Sequence, residues 1–232
     1  MPLRAESSIS RWKVLYVMAS SLVHLAIIEE LTKGHKFKDI GRLKFGAVLP
    51  DAGERNIGHL KITVPPTDMR TYDFEGFRNR YGSLLMTDDL YLGYYLHLVQ
   101  DLCYRHFVYD RYHWNPMIPG NVEKLHNDYA ITNHYVVEKY NLKNDLAVPE
   151  DFAEEKINEI CRFDLLWLTR SINSYFREAG EGEIFFFTKE MTDEFIAEAV
   201  DACHKELNAL KTGIGMINGS ENGWVPTYTA SK

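Results

Sequence analysis

The segment from Leu90 to about Tyr112, LYLGYYLHLVQDLCYRHFVYDRY, constrains the fold most, because its apolar residues recur at helical rather than alternating spacing. Thr87-Asp88-Asp89 precedes it and supplies side-chain oxygens suited to the free N–H groups at a helix start. The same period predicts a first helix from about Ser10 to Thr32, stopping at Gly34, and a short one from Phe74 to Tyr81. Further helices are expected over Asn121–Tyr140, Glu150–Arg177 (opened by Pro149) and Thr192–Leu210. Residues 35–66 and 114–120 read as loops, because Gly and Pro punctuate them. Only EIFFFTK, 183–189, suggests an extended piece, and no repeat is visible. The expected class is all-α: a single-domain helical bundle over 1–212, followed by a Gly/Ser/Asn-rich flexible tail, 213–232, poorly ordered or draped on the surface.

With 232 residues, such a chain buries a full core without disulfides or a structural metal, so metal ligands in it point to chemistry. Its net charge of −7 argues against nucleic acid as a standing partner, since phosphate backbones demand a Lys/Arg surplus. Cys103, Cys161 and Cys203 form no CxxC pair, which speaks against a disulfide framework and for a cytoplasmic setting. Residues 11–28, RWKVLYVMASSLVHLAII, place basic residues before an apolar run, as a signal peptide does. Ser20, Ser21 and His24 interrupt that run, and it falls short of the roughly 20 apolar residues of a membrane span. It reads as an amphipathic helix of the mature protein, and no transmembrane segment is expected.

Chemistry is concentrated in a few positions. His97-x3-Asp101 puts an imidazole and a carboxylate on one helix face, close enough to reach one ion. Leu96, Leu98, Val99 and Leu102 bury that face, and a buried Asp is costly unless paired or metal-bound. Alone, the pair fits a core hydrogen bond equally well. His24 lies among Leu22, Val23, Leu25 and Ile28; Asp51 sits in the turn VLPDAG; His59 follows in GHL. Each alone has an ordinary structural explanation, but together they form a mixed N/O donor set suited to zinc or a similar divalent ion.

VHLAIIEEL, FGAVLPDAG, GHL and YLGYYLHLVQDLCYRHFVY, in this order, resemble the zinc-dependent phospholipase C family and its bacterial hydrolase relatives. The resemblance covers roughly residues 20–140 and implies that His24, Asp51, His59, His97 and Asp101 are metal ligands. It further implies that Asp51 bridges ions and acts as general base. Two departures stand out. The secreted members of that family ligate metal through the amino group of an N-terminal Trp, whereas more than twenty residues precede His24 here. The family's next helix carries His-x3-Glu; here LHNDYAITNHYVVEKY offers Asp128 and His126 besides His134-x3-Glu138. Asp128 and His134 lie about 240° apart around a helix and cannot face one ion. Asp128 is preferred as the ligand, with His126, His134 and Glu138 as rivals. His106 lies about 180° round from His97 and reads as a surface residue. His35 and His204 are expected to be solvated, and His113 to line a pocket wall.

These readings lead to a hydrolase of a small phosphoester using one to three zinc-like ions. An HD-type phosphohydrolase is disfavoured because the chain contains no adjacent His-Asp dipeptide. The alternative from another class is a non-enzymatic helical scaffold with a structural or vestigial metal site. Substrate identity and oligomeric state are not legible.

Overall fold

The structure, a computed structural model, describes residues 19–213 and 215–225. It is all-α: the only sheet among the described residues is a two-stranded hairpin, β1 (Lys61–Thr63) against β2 (Arg70–Tyr72), pairing Ile62 with Thr71. No helix of the described residues is long and apolar enough to cross a membrane.

The apolar segment forms the axis of the bundle. Helix α5 (Asp89–Tyr104) starts at Asp88, whose carboxylate accepts from the Leu90 N–H, and is buried along almost its whole length. A helix apolar on all sides must be surrounded, and α2 (Ile40–Val48), α4 (Phe74–Leu85) and α8 (Lys189–Leu210) pack directly on it. Helix α1 (Ser21–Thr32) lies on α2 and α8 and also touches α6 (Asn121–Lys139). A π-helical stretch, Arg105–Arg111, continues α5, so the predicted helix to Tyr112 is realised with a change of winding.

Four expectations about the elements need correction. Of the predicted first helix, Ser10–Met18 lies outside the described residues; α1 itself starts at Ser21, capped by the Ser20 hydroxyl. The expected loop 35–66 contains α2, capped by Asp39, then a 3-10 turn, Leu49–Ala52, and the four-residue α3 (Arg55–Gly58). Helix α2 exists because it is welded to α5. A Cβ on Gly46 would lie 2.1 Å from the Leu90 carbonyl oxygen, and one on Gly93 2.2 Å from that of Leu43, so only glycines permit this backbone contact. The predicted helix Glu150–Arg177 is broken: two 3-10 turns precede α7 (Leu165–Arg177), which starts where the Asp164 carboxylate accepts from Trp167. Helix α8 starts three residues earlier than expected, because Thr188 caps it.

Residues 215–225 lie against the bundle. Glu206 accepts from the Met216 and Ile217 N–H groups, and Trp224 exchanges backbone hydrogen bonds with Arg70 while its ring packs on Tyr72.

Candidate metal centre

Five side chains from four parts of the chain converge behind one surface. His24 comes from the middle of α1, Asp51 from the 3-10 turn after Pro50, and His59 from the residue ending α3; His97 and Asp101 lie one turn apart on α5. All but Asp51 are buried, and the Asp51 side chain keeps 14 % of its exposure. Asp101 Oδ2 is 3.3 Å from His97 Nε2 and 3.5 Å from His59 Nε2, and its Oδ1 is 3.6 Å from His24 Nε2. Asp51 Oδ1 is 3.5 Å from His59 Nε2 and 4.0 Å from His97 Nε2.

Second interactions orient these rings. His24 Nδ1 is hydrogen-bonded to Gln100 Oε1 at 2.7 Å, and His97 Nδ1 to the Ala47 carbonyl at 2.8 Å, which turns both Nε2 atoms inward. The Gly46–Gly93 contact brings the Ala47 carbonyl within reach of His97. The rings of His24 and His97 stack with centroids 4.2 Å apart. The Ser21 hydroxyl donates to Asp51 Oδ2 at 2.9 Å and fixes that carboxylate.

The inward atoms themselves are unsatisfied. Nε2 of His24, His59 and His97 and both carboxylate oxygens of Asp101 are buried with no hydrogen-bond partner among the described residues. An orphaned buried polar group costs about 1–3 kcal/mol, so these atoms are suited to hold a cation between them. Ligands of a tetrahedral zinc at about 2.1 Å stand about 3.4 Å from one another, close to the 3.3, 3.5 and 3.6 Å that separate the three imidazoles from Asp101. Among the described residues, two groups have the geometry to hold an ion, His24–His97–Asp101 and Asp51–His59–His97, and His97 belongs to both.

Protonation follows burial and charge. Desolvation, with help from His97, holds His24 down to about 4, and burial likewise lowers His59. His97 moves up instead, because the Asp101 and Asp51 charges outweigh its burial. Burial opposes ionisation of both carboxyls, but the imidazoles overcome it, His97 foremost at Asp101 and His59 at Asp51, so both stay ionised. Ionised carboxylates and neutral His24 and His59 are donor states suited to a cation, whereas His97 would have to give up its proton on binding one.

A cavity among the described residues meets the cluster on the side of Asp51 and His59. This cavity, of about 620 Å³, has Asp51, Arg55, His59, His126, Trp167 and Tyr175 on its walls. His24, His97 and Asp101 lie behind that wall, fully buried.

Asp128, the sixth expected ligand, is not brought to the cluster. Its carboxylate is buried and accepts from the N–H groups of Phe185, Phe186 and Phe187 at 2.7, 2.8 and 2.9 Å. The expected extended piece EIFFFTK forms no strand among the described residues, and its last two residues open α8; the amides of Phe185–Phe187 have no ladder partner and take Asp128 as their acceptor instead. Among the rivals, His134 and Glu138 pair with each other at the surface, and His126 sits exposed on the cavity wall. His106 pairs with Asp110 near the surface, as its face position implied, and His113 is exposed and not among the residues lining the cavity. His35 and His204 are not simply solvated: both are half-buried and share a 2.5 Å hydrogen bond.

Gln100 and Ser21, which orient the cluster, carried no motif in the sequence. A polar Gln100 inside the apolar run of α5 was the available signal for the first. Comparison with protein-family models, curated proteins and solved structures finds no match to this chain.

Proposed function

We propose that the chain is a divalent-metal-dependent hydrolase of a small phosphoester, with Asp51 as its proton-accepting residue. The observation that carries the reading is five buried donor atoms without a hydrogen-bond partner, gathered in two adjoining groups that share His97 beside an open cavity. Donors of N/O type without cysteine suit zinc in a reactive site better than in a structural one. A divalent ion held there supplies Lewis-acid charge and acidifies a water within its reach.

The protein's own groups divide the remaining work. Asp101 is wholly buried and only holds and neutralises charge. Asp51 alone among the carboxylates both joins the cluster and faces the cavity, so its oxygens can take a proton from an attacking water. The Ser21 hydrogen bond to Oδ2 leaves Oδ1 directed at His59 and His97. Arg55 and Lys61 lie within electrostatic reach of both carboxylates and make the site receptive to an anion despite the acidic chain.

The likeness to zinc-dependent phospholipases C supports the same chemistry. Elemental analysis of protein purified without chelator, combined with a phosphoester panel, tests it. At least one zinc-like ion per chain and chelator-sensitive hydrolysis are expected. Metal-free protein whose melting temperature does not respond to zinc would instead favour the helical scaffold.

A further inference from the structure

We propose that Arg55 is the anion-holding residue of the cavity, its guanidinium gripping two oxygens of a tetrahedral oxyanion such as a phosphoryl group. The inference rests on the metal-dependent reading of the neighbouring cluster. Asp51, Arg55 and His59 follow one another at intervals of four residues, and all three line the same cavity. Thus the residue midway between two candidate ligands is a cation facing the space that a substrate must enter.

That segment is held in place at both ends. The Asp164 N–H donates to the Ala52 carbonyl at 2.8 Å, and the buried Tyr94 hydroxyl donates to the Gly58 carbonyl. Arg55 therefore projects from a fixed frame rather than from a free loop. It is half-buried, which strengthens its interaction with an anion relative to a fully solvated guanidinium.

Charge counting links anion binding to metal. Asp51 and Asp101 carry two negative charges, and Arg55 and Lys61 within their reach carry up to two positive ones. These four groups nearly cancel, and Glu178 on the cavity wall adds one further negative charge. Each divalent ion held by the cluster adds two positive charges and turns the balance positive, which an oxyanion in the cavity offsets. The planar fork of arginine fits two oxygens of one oxyanion, a geometry that lysine cannot reproduce.

The test is calorimetric titration of inorganic phosphate into the full chain, zinc-loaded and chelated, for wild type, Arg55→Gln and Arg55→Lys. Zinc-loaded wild type should bind phosphate and chelated protein should bind it far more weakly. Arg55→Gln should weaken binding roughly ten- to hundredfold, the range for a lost hydrogen bond to a charged group. Arg55→Lys, which keeps the charge, should fall between. Zinc stoichiometry and circular dichroism should stay unchanged in both variants; if Arg55→Gln misfolds, Arg55→Lys decides. Phosphate affinity within twofold of wild type in a folded, zinc-loaded variant overturns the assignment, as does no phosphate binding by zinc-loaded wild type. Hydrolysis is scored separately: a wild type that binds phosphate through Arg55 but cleaves no phosphoester defeats the hydrolase reading and leaves the anion site standing.

Discussion

His97 Nε2 lies 3.3 Å from Asp101 Oδ2, one turn along α5, yet neither atom has a hydrogen-bond partner among the described residues. A His–Asp contact inside the core, the plain explanation of the motif, accounts for only part of this arrangement. His24 and His59 approach the same carboxylate, so the pair is one side of a convergent cluster.

Removing the buried partner of His24 should loosen the cluster without touching a ligand. Gln100→Leu loses the acceptor that orients His24 Nδ1. Zinc affinity should fall roughly ten- to hundredfold, as for other residues that orient metal ligands. Competition titration against a zinc chelator measures this.

Asp51→Asn should abolish turnover of any phosphoester that the wild type cleaves, while the far-ultraviolet circular dichroism stays unchanged. Asp51 lies at the cavity wall rather than in the core, so its loss does not threaten the fold. Near-normal turnover in this variant rejects the proton-accepting role.

Asp128 separates folding from metal binding. Asp128→Ala leaves three backbone N–H groups without their acceptor, which should cost about 3 kcal/mol or more. Urea unfolding reports the loss, and elemental analysis should return wild-type zinc content. A drop in zinc with unchanged stability would restore Asp128 as a ligand.

Gly46→Ala forces a methyl group to within 2.1 Å of the Leu90 carbonyl oxygen, so α2 must move away from α5. Overpacking of this kind costs about 1–3 kcal/mol. The same displacement pulls the Ala47 carbonyl from His97 Nδ1, so zinc affinity should fall together with the melting temperature.

His35 should titrate below an ordinary histidine, because burial, then His204 and Lys211, disfavour its charged form. The unfolded chain then binds the proton more readily, so the contribution to stability is present above about pH 6.5 and is lost as pH falls below it. His204→Ala removes one cause and should move the His35 midpoint upward in a proton NMR titration. An unmoved midpoint rejects the contribution assigned to His204.

Local order along the chain determined much of this molecule. The helical period of residues 90–112 requires a buried central helix, and three residues between His97 and Asp101 require that they share its face. Capping residues such as Asp88 marked a helix start just as plainly. Tertiary structure decided what periodicity does not encode. Helix α2 forms in a stretch rich in Gly because two glycines allow its backbone to meet that of α5. Gln100 matters because α1 places His24 against it. Asp128 looked like a sixth ligand because it is buried on an inward face, but the amides of Phe185–Phe187 claim it. The physical reason is common to these cases. A helix face is fixed by neighbours three and four residues away, whereas the partner of a buried polar atom is chosen by chain segments far off in sequence.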